Sequence, residues 1–472
     1  MKIHLKRTLL NLVLAVLLFP ALPSALFGAE GDAKSNSGAA ASEESIRLAT
    51  IHYGTETEIS SLIQALRNEG SGSLDEELIT LVQSTRNRTI IRGVFSFFGE
   101  RNKSGLEERA IRAIEERDDE TNDTIQAAVD YLGKVKARDA VDPLKELINT
   151  RERRFMNNAI RALGRAGGRA DGKADSIAND TAEYLVDLFS NEETADESRR
   201  EILSALGETG SKRGVPFLAE LAENNEERSA LRIAALESLA RIADDDGLEA
   251  ILAAVGDADP NIRSTAVTSL GPFKGAAVDK AILEAFRDSY YRTRIGAAQA
   301  SRERKLEEAI PYLKYRAEKD DVPQVKDESL RALGAIGSRE AMSILDTFFT
   351  ERKGSDRVRI ISAEMLMKND ADKYLDKLVV ELDEAKTKNQ TALYNGFLKV
   401  AGESKTGKLD SLARRFLESG GIIEKSYALD IAANNNLRNL SREITPLTED
   451  KNASLARKAK VTLEKLGIKP ES

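Results

Sequence analysis

From Glu43 onward, apolar residues recur at spacings of three and four in blocks of about 12 residues, with almost none of the strict alternation that marks a strand. The pattern predicts helices throughout. Several blocks close on a Leu-Gly pair: Leu132-Gly133, Leu163-Gly164, Leu206-Gly207, Leu270-Gly271 and Leu333-Gly334. Leu239, Ser301, Leu366, Val400, Ile431 and Leu463 hold the equivalent place in the remaining blocks, so most intervals are 31 to 34 residues. A recurring interval of this length signals tandem helix pairs, since a single pair cannot bury its apolar stripes without neighbours. The prediction is an all-α superhelix of about eleven helix pairs.

Residues 324–353 show the logic of one copy. Val325, Ser329, Leu330 and Leu333 share one side of a first helix, and Gly334 and Gly337 supply the left-handed backbone expected to end it. Met342, Leu345 and Phe349 then form the stripe of a second helix that packs on the first. In other copies Val215-Pro216 and Ile310-Pro311 open the second helix, where proline lacks only an N–H that had no partner; Pro143 acts one residue later.

The same pattern sets the boundaries. RLATIHYGTETEISSLIQAL (47–66) is an early copy with Tyr53-Gly54 in the Leu-Gly place, so the array is expected to run over 44–467, followed by a tail at 468–472. Leu74 to Thr85 is an extra helical stretch before the copy that ends Phe98-Gly99. One interval is 43 residues long and contains GRAGGRADGKADSIAND, which predicts a loop insertion at about 164–180. Residues 30–43 are small, polar and aperiodic and read as a flexible linker.

The motif A-x-x-A-L-G-x-x-G followed by A-V/I-P-x-L resembles bacterial HEAT-like repeats, in particular the short variety associated with phycobilin lyases. It stands here as Ser204-Ala205-Leu206-Gly207-Glu208-Thr209-Gly210 and then Val215-Pro216-Phe217-Leu218. The resemblance implies a HEAT-like or armadillo-type solenoid whose second helices line a concave face. A tetratricopeptide array, the rival architecture, would keep a nearly constant 34-residue interval with large aromatics at fixed places. HEAT-like repeats also tend to carry Asp or Pro before the first helix and Arg within it. Asp259-Pro260-Asn261-Ile262-Arg263 and Asp356-Arg357-Val358-Arg359 fit that description. Counting back seven from each anchor gives a basic column: Arg199, Arg232, Arg263, Arg294, Lys326 and Arg359. Two roles are open to it, a phosphate track or pairing with carboxylates of adjacent copies; capping by Asp and the acidic balance of the chain favour pairing.

The first 29 residues stand apart. Lys2, Lys6 and Arg7 precede an apolar run from Leu9 to Phe19, then Pro20, Pro23 and a small-residue end at Gly28-Ala29. This is the layout of a signal peptide, with cleavage expected after Ala29 and a periplasmic or otherwise exported product. Phe27 stands where a small residue is usual, which leaves a retained membrane anchor as the alternative. Loss of the leader moves the net charge from −8 to −11, which disfavours nucleic acid as a partner. No later apolar run is long enough to span a bilayer.

Cysteine is absent and, of two histidines, His4 lies in the leader, leaving His52 near a predicted helix end. Thiolate chemistry, a Ser-His-Asp triad and a multi-histidine metal site are thereby excluded within one mature chain. Deoxyhypusine hydroxylase, an enzyme of related repeat type, needs His-Glu pairs to hold iron, and the sequence contains none. Lyase activity like that of the phycobilin relatives is disfavoured by the export signal. Asp244-Asp245-Asp246 and Asp257 with Asp259 could offer oxygen ligands to a divalent ion, but both clusters fall in turns before helices, where Asp is favoured by capping. No cofactor is expected.

Aromatic residues give a more specific signal in so acidic a chain. Tyr290 and Tyr291 are expected to end one second helix, with Tyr312 and Tyr315 on the next and Arg287 and Arg316 close by. Tyr with Arg is a typical hot-spot composition. The reading is an exported, non-catalytic scaffold that binds a protein or peptide on its concave face. A carboxylate-based ion binder or enzyme of the envelope is the alternative.

Overall fold

In the computed structural model, residues 36–169, 175–192, 194–351 and 354–468 are described, with side chains from residue 43 on. They form 25 α-helices and, among the described residues, no strand. The chain divides into two compact units, Met1–Glu77 and Leu78–Ser472. The leader and the proposed cleavage point lie outside the described residues, as do 170–174 of the insertion and 469–472 of the tail.

In the first unit, α1 (Asn36–Tyr53) and α2 (Glu56–Glu69) are joined by Gly54-Thr55 alone. Thr55 caps α2 reciprocally: its hydroxyl accepts the Glu58 N–H at 3.4 Å and its own N–H donates to the Glu58 carboxylate at 2.7 Å. Arg47 of α1 bonds both carboxylate oxygens of Glu69 at 2.8 Å. The start of α1 corrects the linker expectation, because Asn36 already lies within 30–43. The run Gly38-Ala39-Ala40-Ala41 is small but three of its four residues are alanine, the strongest helix former. His52 sits exposed in the last turn of α1. The extra stretch is α3 (Asp75–Ser84), in which the division between the units falls.

The second unit is a run of pairs. In order they are α4 (Arg88–Glu100) with α5 (Glu107–Glu115), α6 (Asn122–Lys134) with α7 (Val141–Asn149), α8 (Arg153–Ala166) with α9 (Ser176–Ser190), and α10 (Asp196–Thr209) with α11 (Val215–Glu223). Next come α12 (Ser229–Ile242) with α13 (Leu248–Ala254), α14 (Pro260–Ser269) with α15 (Ala276–Ala285), α16 (Tyr291–Arg304) with α17 (Ile310–Lys319), and α18 (Pro323–Ile336) with α19 (Arg339–Thr350). The two halves of α20 (Asp356–Thr387) form a pair, followed by α21 (Thr391–Glu403) with α22 (Asp410–Ser419), α23 (Ile422–Asn434) with α24 (Ser441–Ile444), and a lone α25 (Ala453–Lys465). Successive first helices pack on one another, and each second helix lies against the first helix that follows it. This is the expected all-α superhelical array, with eleven pairs in the second unit.

Two details of the repeat differ from expectation. The insertion is shorter than 164–180, because Gly164 to Ala166 still belong to α8 and α9 already begins at Ser176, capped by Asp175 through the N–H groups of Ile177 and Ala178. In four of the five Leu-Gly pairs the glycine also does not end the first helix; only Gly271 lies beyond its helix, α14. Gly334 lies inside α18; the left-handed residue is Gly337, at φ +66°. What the internal glycine permits is contact with the next copy. A Cβ on Gly164 would stand 2.7 Å from both the Cα and the carbonyl oxygen of Ala205 on α10. In α20 the turn between helices shrinks to Asp370, at φ −155° and ψ 82°, whose carboxylate accepts the Lys373 N–H at 3.1 Å and so caps the second half.

Candidate functional site

The arginines of the basic column take partners that recur from copy to copy. Arg232 donates from Nε to the Ala222 carbonyl at the end of α11 (2.9 Å) and from Nη2 to Asp257 just after α13 (2.6 Å). Arg263 reaches the Asp257 and Ala258 carbonyls (3.0 and 3.2 Å) and grips Asp288 with two N–H groups (2.8 and 3.1 Å). Arg294 repeats the arrangement on the Asp288 and Ser289 carbonyls (3.1 Å each) and on Asp320 (2.8 Å twice). Arg359 does so on the Phe349 carbonyl (3.0 Å) and Glu381 (2.5 Å).

Each of these arginines therefore joins a carboxylate at or beyond its own second helix to carbonyls of the preceding copy, at the end of the second helix for Arg232 and Arg359 and in the turn after it for Arg263 and Arg294. Helix C-termini leave carbonyls without intrahelical partners and carry partial negative charge, so a buried guanidinium suits them. The aspartates also shape the backbone. Asp257, Asp288 and Asp320 accept the N–H two residues on, at 2.7, 2.7 and 3.0 Å, which starts the turn into the next first helix. At two places the column thins. Lys326 keeps a carbonyl contact, Glu318 at 3.3 Å, whereas the Arg199 guanidinium lies over the Phe189 ring at 5.3 Å. The carboxylates that the column meets lie on or just beyond its own second helices, not in adjacent copies as expected; the link to the preceding copy runs through backbone carbonyls.

The carboxylate clusters also have structural partners. Asp259 caps α14 through the Asn261 N–H at 2.8 Å, and Asp257 belongs to the arginine series. Asp244 pairs with Lys212 and accepts the Asp246 N–H at 3.2 Å. Asp356 is not a cap; Ser355 holds that position for α20 and accepts the Val358 N–H at 3.3 Å.

Of the six residues expected to bind a partner, four lie on or beside second helices. The Tyr312 ring of α17 stacks on Phe286, just after α15, with centroids 5.6 Å apart, and the Arg287 guanidinium stands 5.5 Å from that ring while bonding Glu284 at 2.8 Å. Tyr315 is 57% exposed, with Arg316 5.4 Å from its ring. Arg316 also donates to Asp320 at 3.3 Å, which joins this group to the arginine series.

Tyr290 and Tyr291 are placed differently from expectation. They do not end a second helix, since α15 stops at Ala285; Tyr290 is the N-cap residue of α16 and Tyr291 its first residue. Their rings are 5.4 Å apart, and the Tyr290 hydroxyl donates to the Asn261 side chain at 3.0 Å. They therefore mark the edge where the chain enters a first helix, not the second-helix layer.

Among solved structures, Kap121p aligns over 92% of this chain at 12% identity with a TM-score of 0.43, and the aligned part is 56% of Kap121p, so the chain spans about half its length. The complex of CpcE and CpcF of phycocyanin lyase from Nostoc sp. PCC7120 aligns over 63% of this chain and 97% of its own at 12% identity, with a TM-score of 0.33. No curated protein matches the sequence. The family model for spirochaete HEAT repeat proteins matches residues 51–462, nearly the whole repeat array, and the chain belongs to that family.

Proposed function

We propose that this protein is a non-catalytic scaffold that holds a protein or peptide partner on the concave side of its second-helix layer. The observation that carries the reading is the group on α17: Tyr315, more than half exposed and flanked by Arg316, and Tyr312, over which Arg287 is held from just after the preceding second helix. Rings and guanidinium groups fixed in this way give up little entropy on binding, which is why such residues dominate interface energies. Against catalysis stands the residue inventory: beyond the leader there is one histidine, exposed at a helix end, and no cysteine.

The signal-like leader supports a second part of the proposal, that the scaffold works outside the cytoplasm after cleavage behind Ala29. Mass spectrometry of the mature N-terminus is expected to read Glu30, and a chain that retains Met1 would refute the cleavage. The binding surface is tested by placing a photoreactive amino acid at Tyr315 and, as a control, at Glu237 on the first-helix layer. Illumination of intact cells is expected to give a discrete adduct from position 315 only. Equal adducts from both positions, or none from 315, would sink this placement.

A further inference from the structure

The negative charge of the protein is concentrated in one part of the array. Residues 176–258, from α9 to the end of the α13 copy, contain 19 Asp and Glu but only 7 Lys and Arg, while the whole chain has a net charge of −8. The rest of the molecule is therefore net positive. Within this block a groove of 710 Å³ runs between the last turns of α11 and α13. Ala222, Ala250, Ala253 and Ala254 provide small apolar walls, and Glu223 and Asp259 stand on its rim. Glu220 and Glu223 are both exposed, one turn apart on α11. Arg232 also lines the groove, but its guanidinium is taken by the Ala222 carbonyl and Asp257.

We infer that this groove receives a lysine- or arginine-bearing extended segment of the protein partner. Three features converge on that chemistry. The alanine walls accept an aliphatic stem such as the methylene chain of lysine or arginine, whose charged head then reaches the rim. The last turn of α13 lines the groove and presents the negative end of its macrodipole to it, while that of α11 is already met by Arg232. The surrounding copies carry the whole net negative charge of the molecule, which would draw a basic segment towards them. An acidic or purely apolar segment would satisfy only the first feature. The inference rests on the scaffold reading but uses a different part of the second-helix layer from Tyr315.

A fluorescein-labelled peptide alternating lysine with serine, titrated against the whole mature chain by fluorescence anisotropy, tests the inference. Binding is expected to weaken by about tenfold in Glu220→Gln/Glu223→Gln, which removes one exposed carboxylate that lines the groove and a second one turn before it. Ala253→Leu fills the groove at an exposed position without changing charge, and a loss of similar size is expected. Glu197→Gln/Glu237→Gln removes the same charge from the exposed faces of α10 and α12 and is expected to shift binding less than about twofold. Equal weakening by both glutamine pairs would reduce the effect to net charge and overturn the groove, as would unchanged binding in Ala253→Leu. Tyr315→Ala is expected to leave peptide affinity intact, so failure at Tyr315 and failure at the groove are read out separately.

Discussion

The copies from α12 to α20 and those from α4 to α8 stack in the same way but are joined by different chemistry. In the central copies an arginine joins carbonyls at or just after the preceding second helix to a carboxylate at or just after its own. In the early copies the equivalent places hold Ile91, Ile125 and Met156, and the joints are aromatic: the Phe95 ring of α4 stacks on Tyr131 of α6 at 5.7 Å, and Phe95, Phe97, Phe98 and Tyr131 are all essentially inaccessible. A solenoid interface thus tolerates either solution. Apolar joints gain from area removed from water, whereas a buried ion pair gives up hydration and recovers it only when every polar atom is bonded. The central copies approach that condition by using the guanidinium to saturate carbonyls that would otherwise lack partners.

The largest effect is expected from breaking one such joint. Arg294→Ala leaves Asp320, which is 4% exposed, without its bidentate partner, and should cost about 3–5 kcal/mol in urea unfolding. A cost below about 1 kcal/mol would show that the pair adds nothing to the joint. The same carboxylates make the central copies sensitive to acid. Burial alone would raise Asp288 and Asp320, but the guanidinium groups of Arg263 and Arg294 and the N–H groups of Tyr290 and Val322 together hold both below the usual carboxylate value. A depressed folded value contributes stability that is present above the unfolded value and lost as pH falls through the folded one. Amide exchange in α14–α18 is therefore expected to stay slow from about pH 8 to 5 and to accelerate below about pH 4, ahead of α4–α8.

A smaller effect, on an apolar joint, is expected from Gly164→Ala. The added methyl would meet the Ala205 backbone of α10, which has no side-chain rotamer with which to yield, so α8 and α10 must separate. The cost should be about 1–3 kcal/mol. Gly275→Ala, in a turn with open space around it but φ of +124°, separates packing from backbone strain. If both substitutions cost the same, close approach is not the reason for the Leu-Gly pair.

The repeat is legible in the sequence because each copy requires small and apolar residues at the same register, and the arginine column is legible for the same reason. Its acceptors are harder to read. Asp257 and Asp259 are both turn aspartates two residues apart, and only the crossing of α12 with α13 shows which of them lies under Arg232. Tyr290 and Tyr291 depart from expectation because no glycine or proline marks the end of α15; the four residues after Ala285 form a turn built on Asp288. Tyr315 can be identified as exposed from its place on a polar helix face, whereas the stacking of Tyr312 on Phe286 depends on which second helices adjoin. The groove is hidden from sequence for another reason. A charge averaged over the chain conceals an acidic block that is followed by a net positive stretch, residues 259–472.

The smallest effect discriminates most finely between the two kinds of joint. The buried Tyr131 hydroxyl accepts the N–H of Leu106, at the start of α5, at 3.0 Å. Tyr131→Phe keeps the ring stack with Phe95 but leaves that N–H, on a residue 1% exposed, without its acceptor, which should cost about 1–2 kcal/mol. Burial pushes the phenol above its ordinary value, so it remains neutral wherever the protein is folded. The loss on substitution should consequently be the same at about pH 5 and about pH 9. An aromatic joint that behaves in this way is held by area and by the hydrogen bonds of a neutral phenol, whose hydroxyl also lies beside the Glu107 carboxylate, and a cost that varied between those pH values would mean that a titrating group contributes to this joint.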